Sequence, residues 1–212
     1  MPDIKYDKEL IMKKLIEYAT DNGFEDLSAR KLATYIGCSV MPIYTAYGDM
    51  GQLIEAARER IVDLIISYMD KEHIEGNPML NAAIAVVCFA RDYEYLYREV
   101  FINSADKKSI QRIIDKMHGY IVSTGNTMQN ELNAEEMEVF LYKVWITIQG
   151  LASMVCSGLL RHASNEFIAD ALLEMGTNLL RGTLFDKGTL SSYKYYGPMV
   201  HPTQWDIMGE KP

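Results

Sequence analysis

The sequence predicts an all-α protein of about nine helices, the first three forming a small N-terminal unit. Three observations lead there. Apolar residues recur at helical spacing in nearly every segment up to about residue 183. Most breaks between those segments carry a glycine, a helix N-cap residue or both. No segment alternates apolar and polar residues long enough to read as a sheet strand. The 49% hydrophobic and 24% charged composition is that of a globular chain and excludes global disorder.

The elements follow in order. Residues 8–20 place Leu10, Ile11, Leu15, Tyr18 and Ala19 on one stripe, with Gly23 as the expected left-handed cap. Ser28 suits the N-cap of a short helix over 29–36 that Gly37 ends, and Ser39 that of another over 40–47 with Pro42 in its first turn. After Gly48-Asp49 a long helix runs from about Met50 to Met69. Gly76-Asn77-Pro78 marks the next break, and helices then fit 79–91, 93–101 and 107–128. Asn133 caps a long helix from Ala134 to about Leu160, with Glu135 and Glu136 where the helix dipole favours them. Ser164 caps a final one, 165–181, and the aromatic-rich segment that follows has no long periodicity. The expected organisation is an N-terminal unit over 1–48, a helical domain over 49–183 and an extension over 184–212.

Residues 28–47 are the informative stretch: a short helix, a tight glycine turn and a second short helix. Ala33 is small enough for the two helices to cross closely, Gly37 takes positive φ without steric cost, and Ile43 points back between them. Leu32, Ile36 and Cys38 complete that interior. This is what a helix-turn-helix needs to hold its second helix out as a probe. The net charge is −8, so no bulk basic footprint exists. The acidity is uneven: residues 61–183 carry 10 Lys/Arg against 16 Asp/Glu, residues 1–60 carry 8 against 10. A nucleic-acid surface is therefore expected to be local and to lie in the first sixty residues.

Leu27-Ser28-Ala29-Arg30-Lys31-Leu32-Ala33, Ile36-Gly37-Cys38-Ser39, Ile43-Tyr44 with Tyr47, and then Leu53 resemble the tetracycline-repressor (TetR) family of bacterial regulators. The resemblance covers residues 8–60 well and the remainder only in pattern. It implies a cytoplasmic, homodimeric transcription regulator, a repressor released by a small-molecule effector. It also implies that the last two helices form the dimer interface. The DNA contacts it implies fall on Ser28, Arg30, Lys31, Ser39, Val40, Met41, Pro42, Tyr44, Thr45 and Tyr47. Four positions depart from the family pattern: Met41 stands where many members have glycine, Ala46 where they have histidine, Met50 where a lysine faces a phosphate, and Gly51 where the residue is usually acidic. The probe face, Val40, Met41, Pro42 and Thr45, has no Arg, Asn or Gln for bidentate base contacts, so readout of shape and thymine methyls is expected. Such a protein prefers a near-palindromic double-stranded operator. The alternative is a helical small-molecule-binding module whose DNA binding has weakened or been lost.

The second half is rich in aromatics and methionine. Phe89, Tyr93, Tyr97, Met117, Tyr120 and Trp145, with His118 and Gln149 as polar candidates, suit a mostly apolar effector site, and equally suit an ordinary core. Ile148, Val155, Phe167, Leu172 and Leu179 on the last two helices are candidates for core or dimer seam. An enzyme is not expected, nor any metal or cofactor: the four histidines show no metal-ligand spacing, and no nucleophile elbow or phosphate loop occurs. No signal peptide is expected at the start. The uncharged run Val144–Leu160, interrupted by Gln149, Ser153 and Ser157, reads as a buried helix rather than a membrane span. Cys38, Cys88 and Cys156 form no CxxC pair and read as reduced core thiols.

Overall fold

The computed structural model describes residues 6–71, 76–103, 107–123, 132–160 and 162–185. Among them are nine α-helices and no strand, as the sequence predicts. Helix α1 (Lys8–Asn22) starts at Asp7, whose carboxylate accepts the Leu10 N–H at 2.9 Å. Gly23 caps α1 with the positive φ expected, 64°, and its N–H closes on the Ala19 carbonyl at 3.0 Å, but its ψ of −162° departs from a left-handed residue and sends the backbone out extended. That extension tucks Phe24 into the core and turns its N–H toward Glu99, at 3.3 Å.

Helices α2 (Ala29–Ile36), α3 (Met41–Tyr47) and α4 (Met50–Met69) follow on short turns. Asp49 caps α4 through the Gln52 N–H. Helix α5 (Pro78–Asp92) has Asn77 as N-cap and Pro78 at its start, where the missing N–H costs nothing. Every residue from Leu80 to Ala90 is buried. A helix apolar all round must be enclosed, and α5 is the central post, packed on α4, α6 (Glu94–Phe101), α7 (Lys107–Ser123), α8 (Ala134–Cys156) and α9 (Asn165–Phe185).

Residue pairs fix the directions. Glu59–Lys108, Asp63–Arg112 and Asp70–Lys116 form a ladder at 3.0, 2.6 and 2.7 Å that sets α7 parallel to α4. Such exposed pairs add little stability each, but α7 also buries Ile113, Met117 and Ile121 at helical spacing. Arg91 at the end of α5 donates to the Ala163 carbonyl and to Asn165 Oδ1 at the start of α9, so α9 runs back along α5.

Helix α8 starts with a capping box: Asn133 Oδ1 accepts the Glu136 N–H and the Glu136 carboxylate accepts the Asn133 N–H. It stops at Cys156, not Leu160, because Gly158 takes φ 79° and turns the chain. The helix is long and apolar enough to cross a membrane by length and composition, but Met137, Phe140, Leu141, Val144, Ile148, Leu151 and Val155 face the protein's own core. The Ser164 cap is present, its hydroxyl accepting the Phe167 N–H. Helix α9 runs to Phe185, further than the expected Arg181. Residues 124–128 of the expected seventh helix, and the expected extension beyond Phe185, lie outside the described residues. All three cysteines are free thiols; Cys88 and Cys156 are buried, Cys38 only partly.

Candidate nucleic-acid interface

Helices α2 and α3 are held by the small core that the spacing predicts. Leu32, Ile43 and Leu53 are fully buried and Ala33 nearly so. Gly37 sits at φ 82°, ψ 34°, and its N–H and that of Cys38 both close on the Ala33 carbonyl at 2.9 Å. A Cβ on Gly37 would meet nothing within 4 Å, so the turn needs glycine for its backbone angles and not for space. Ser28 caps α2 by accepting the Lys31 N–H at 3.3 Å, which leaves its hydroxyl proton free to donate outward.

Ser39 is not the residue that opens α3. Val40 precedes the helix in αR conformation without a side-chain cap bond. Pro42 in the first turn explains this: it offers no N–H for a cap to satisfy. Two tyrosines lash the unit to the start of the chain. Tyr47 donates its hydroxyl to the Lys8 carbonyl at 2.9 Å, and Tyr6 donates to the Gly37 carbonyl at 3.2 Å. Burial and nearby acids push the Tyr47 phenol up, so it stays a neutral donor.

What remains outward is Ser28, Arg30, Lys31, Ser39, Met41, Tyr44 and Thr45, all exposed, with Val40 and Pro42 half-buried. Met41 is 68% exposed, an apolar side chain of the kind that reads a thymine methyl. Residues 28–47 contain two cations, Arg30 and Lys31, and no carboxylate. On a chain of net charge −8 these two cations have no carboxylate within their own segment.

The effector candidates separate in space. Phe89 and Tyr93 stack with Tyr68 at 5.1–5.9 Å, and Tyr68 donates to the Tyr93 hydroxyl at 3.0 Å, which holds the Tyr68 phenol up at about 12. Tyr97, Phe101 and Trp145 form a second cluster, where the Tyr97 hydroxyl donates to Gln149 Oε1 at 2.6 Å. Met117 is core, His118 is exposed, and the Tyr120 hydroxyl donates to Asp70 at 2.7 Å. The side chains within each cluster touch one another. A half-open cleft of about 410 Å³ lies elsewhere, at the end of the bundle away from α2 and α3, lined by Met79, Leu80, Phe140, Leu173, Gly176 and Leu180 among others. None of the effector candidates lines it. Its walls come from four helices far apart in sequence, so only Gly176, a glycine inside an apolar helical stripe, signals it beforehand.

Of the seam candidates, Ile148, Val155 and Leu172 belong to the protomer's own core, Leu179 is half-buried, and Phe167 is exposed. The large apolar residues that α8 and α9 do present outward are Ile146, Met154, Phe167 and Leu173, with Gly150 and Ser153 also exposed. Among the described residues no group of three His, Cys, Asp or Glu could hold a metal ion.

No protein-family model and no curated protein sequence matches the chain. Solved structures do. A TetR-family transcription regulator from Marinobacter aquaeolei VT8 superposes with a TM-score of 0.57 at 18% identity, over 82% of this chain and 95% of that one. A TetR-family regulator from Rhodococcus sp. gives 0.63 at 13% identity over 81% and 97%. A TetR-like regulator from Rhodococcus sp. RHA1 gives 0.58 at 14% over 82% and 96%. The fold is TetR-like. Within a TetR-like fold, α1–α3 are the helix-turn-helix end, α4–α9 are the helical body, and both share one continuous core.

Proposed function

We propose that the chain is a DNA-binding transcription regulator that acts as a homodimer. It is a repressor in the cytoplasm whose DNA affinity falls when a small hydrophobic or aromatic effector binds the helical body. The observation that carries this reading is the α2–α3 surface: a rigid probe helix, two cations, two serine hydroxyls and Tyr44 outward, and no carboxylate over 28–47, on a TetR-like fold. Arg30, Lys31 and Tyr44 are assigned to phosphates and Met41 and Thr45 to base edges. The outward apolar residues of α8 and α9 support a dimer seam, which would set two probe helices against two half-sites of a near-palindromic duplex. The effector acts by linkage: it lowers DNA affinity by as much as it prefers the conformation with badly spaced probe helices, and no more.

A second reading keeps the helical body as a small-molecule-binding module and gives up the operator. It is favoured by Met41, Ala46 and Met50, which leave few polar or cationic groups at the probe. Salt-dependent duplex binding separates the two. A regulator binds duplex DNA with an affinity that falls steeply with salt and is lowered by Arg30→Ala. A module without DNA binding shows no such dependence.

A further inference from the structure

Helix α3 lacks the groups that usually read bases. Its seven residues, Met41–Tyr47, include no amide side chain, guanidinium, imidazole, carboxylate or ammonium. The bidentate pairs that single out guanine or adenine are therefore closed to it. Its polar side-chain atoms are three hydroxyls, on Tyr44, Thr45 and Tyr47. The Tyr47 hydroxyl donates to the Lys8 carbonyl at 2.9 Å and is committed to the fold. Tyr44 is assigned above to a phosphate. That leaves Met41 and Thr45 for base edges. Both are exposed, and four residues apart they share one face of the helix.

The direction of that face is fixed. Ile43 is fully buried and lies about 200° around the helix from Met41. The turn before α3 is held by Gly37, whose carbonyl accepts the Tyr6 hydroxyl at 3.2 Å. Met41 is consequently aimed outward from a rigid base, at 68% exposure. Its flexible chain and polarisable sulfur let it close on a small apolar target.

The major groove offers one such target, the C5 methyl group of thymine. Uracil and cytosine carry only hydrogen at C5. In 5-methylcytosine the methyl returns to the same ring position, and the base differs from thymine at C4, with an amino donor in place of a carbonyl acceptor. A threonine hydroxyl serves both, donating to O4 or accepting from the N4 amino group. Thr45 therefore does not tell thymine from 5-methylcytosine, and Met41 senses what the two bases share.

We propose that Met41 is the specificity-determining residue of α3 and that, with Thr45, it selects a C5-methylated pyrimidine in each half-site. Thymine and 5-methylcytosine are accepted there; uracil and unmethylated cytosine are penalised. Methylation of a cytosine at that position of an operator then raises affinity. This selectivity presupposes the duplex binding proposed above.

The duplex most enriched by the wild type from a randomised library is the reagent for the test, and fluorescence anisotropy at fixed salt is the readout. Each symmetry-related pair of thymines is replaced in turn by uracil. At one pair, uracil should weaken binding by about fourfold for each methyl lost, or about 16-fold over two half-sites. At that pair, 5-methylcytosine opposite guanine should bind within about twofold of thymine, and unmethylated cytosine should bind like uracil. Met41→Ala should abolish the preference for thymine over uracil and leave the salt slope unchanged, because an apolar contact releases no counterion. Met41→Leu should retain the preference. Both variants should keep the wild-type melting temperature, since Met41 lies outside the core. Four results would overturn the proposal: an enriched duplex without thymine in its half-sites, uracil without effect at every pair, a preference that survives in Met41→Ala, or 5-methylcytosine that binds no better than cytosine. A wild type that enriches no duplex contradicts the regulator reading itself, and methyl selectivity falls with it.

Discussion

Glu99 is the one fully enclosed carboxylate among the described residues that joins the helix-turn-helix end to the body, and its removal has a calculable cost. Its side chain is 5% exposed. Oε1 accepts the Phe24 N–H at 3.3 Å and the Asn103 amide at 3.0 Å, and Oε2 lies 3.6 Å from the Arg58 guanidinium on α4. Arg58 Nε is itself buried without a hydrogen-bond partner. Glu99→Ala strands the buried Phe24 N–H, releases the Asn103 amide to water and leaves Arg58 without its anion. Breaking a buried pair from one side costs about 3–5 kcal/mol, and the lower end applies here because Arg58 still reaches water. At about 2–4 °C per kcal/mol for a chain of this size, that lowers Tm by about 6–12 °C. Glu99→Gln keeps the shape and an acceptor and loses only the charge, so about 1 kcal/mol is expected. Thermal unfolding followed by circular dichroism measures both variants, and hydrogen exchange at Phe24 locates the effect. Equal, small losses in the two variants would refute the reasoning, since the buried charge and its acceptors would then hold nothing together.

Four other outcomes follow from the same structure. Gly37→Ala should cost about 1 kcal/mol, all of it from the left-handed backbone because the added Cβ has room; a loss several times larger in denaturant titration would point to a clash instead. Asn133→Ala should cost about 1 kcal/mol through the capping box, readable as a drop in Tm. Lys116 and the Tyr120 hydroxyl hold the Asp70 carboxyl below the usual range. Its contribution is therefore present above the unfolded value near ~3.9 and is lost as pH falls through the depressed folded value. Asp70→Asn should be less stable than wild type at neutral pH, with the two unfolding curves converging in acid; a constant gap down to pH ~2 would count against the pairing. Met50→Lys should tighten duplex binding and steepen the salt slope by roughly 0.9, the value for one phosphate contact.

The sequence carries the helix-turn-helix almost whole, because every residue that sets it acts locally. Ala33, Gly37 and Ile43 fix a crossing within a few turns, and Ser28, Asn133 and Ser164 cap the next residues along the chain. Errors arise where a tertiary partner overrides a local rule. Gly23 closes α1 yet leaves it with an extended ψ, where Phe24 turns its N–H toward Glu99, seventy-five residues away. Ile148 and Phe167 are equally apolar by sequence, yet one is core and the other outward, because periodicity gives a stripe and not what faces it. The aromatic residues of α5, α6 and α8 look like one site and form two clusters, since the rotation of α6 against α5 is not written in either helix. The cleft is assembled from α5, α7, α8 and α9 together and has no local signature beyond Gly176.

The central claim is that α2 and α3 present a sequence-selective DNA probe. A selection from a randomised duplex library with the full-length wild type at moderate salt tests it most directly, with Arg30→Ala and Tyr44→Ala run in parallel. Enrichment of near-palindromic duplexes by the wild type, with half-sites about one helical turn apart or somewhat more, and weaker binding of both variants to every duplex, is the predicted result. A library that stays unenriched by the wild type, or one that is bound equally tightly by all three proteins, would contradict it.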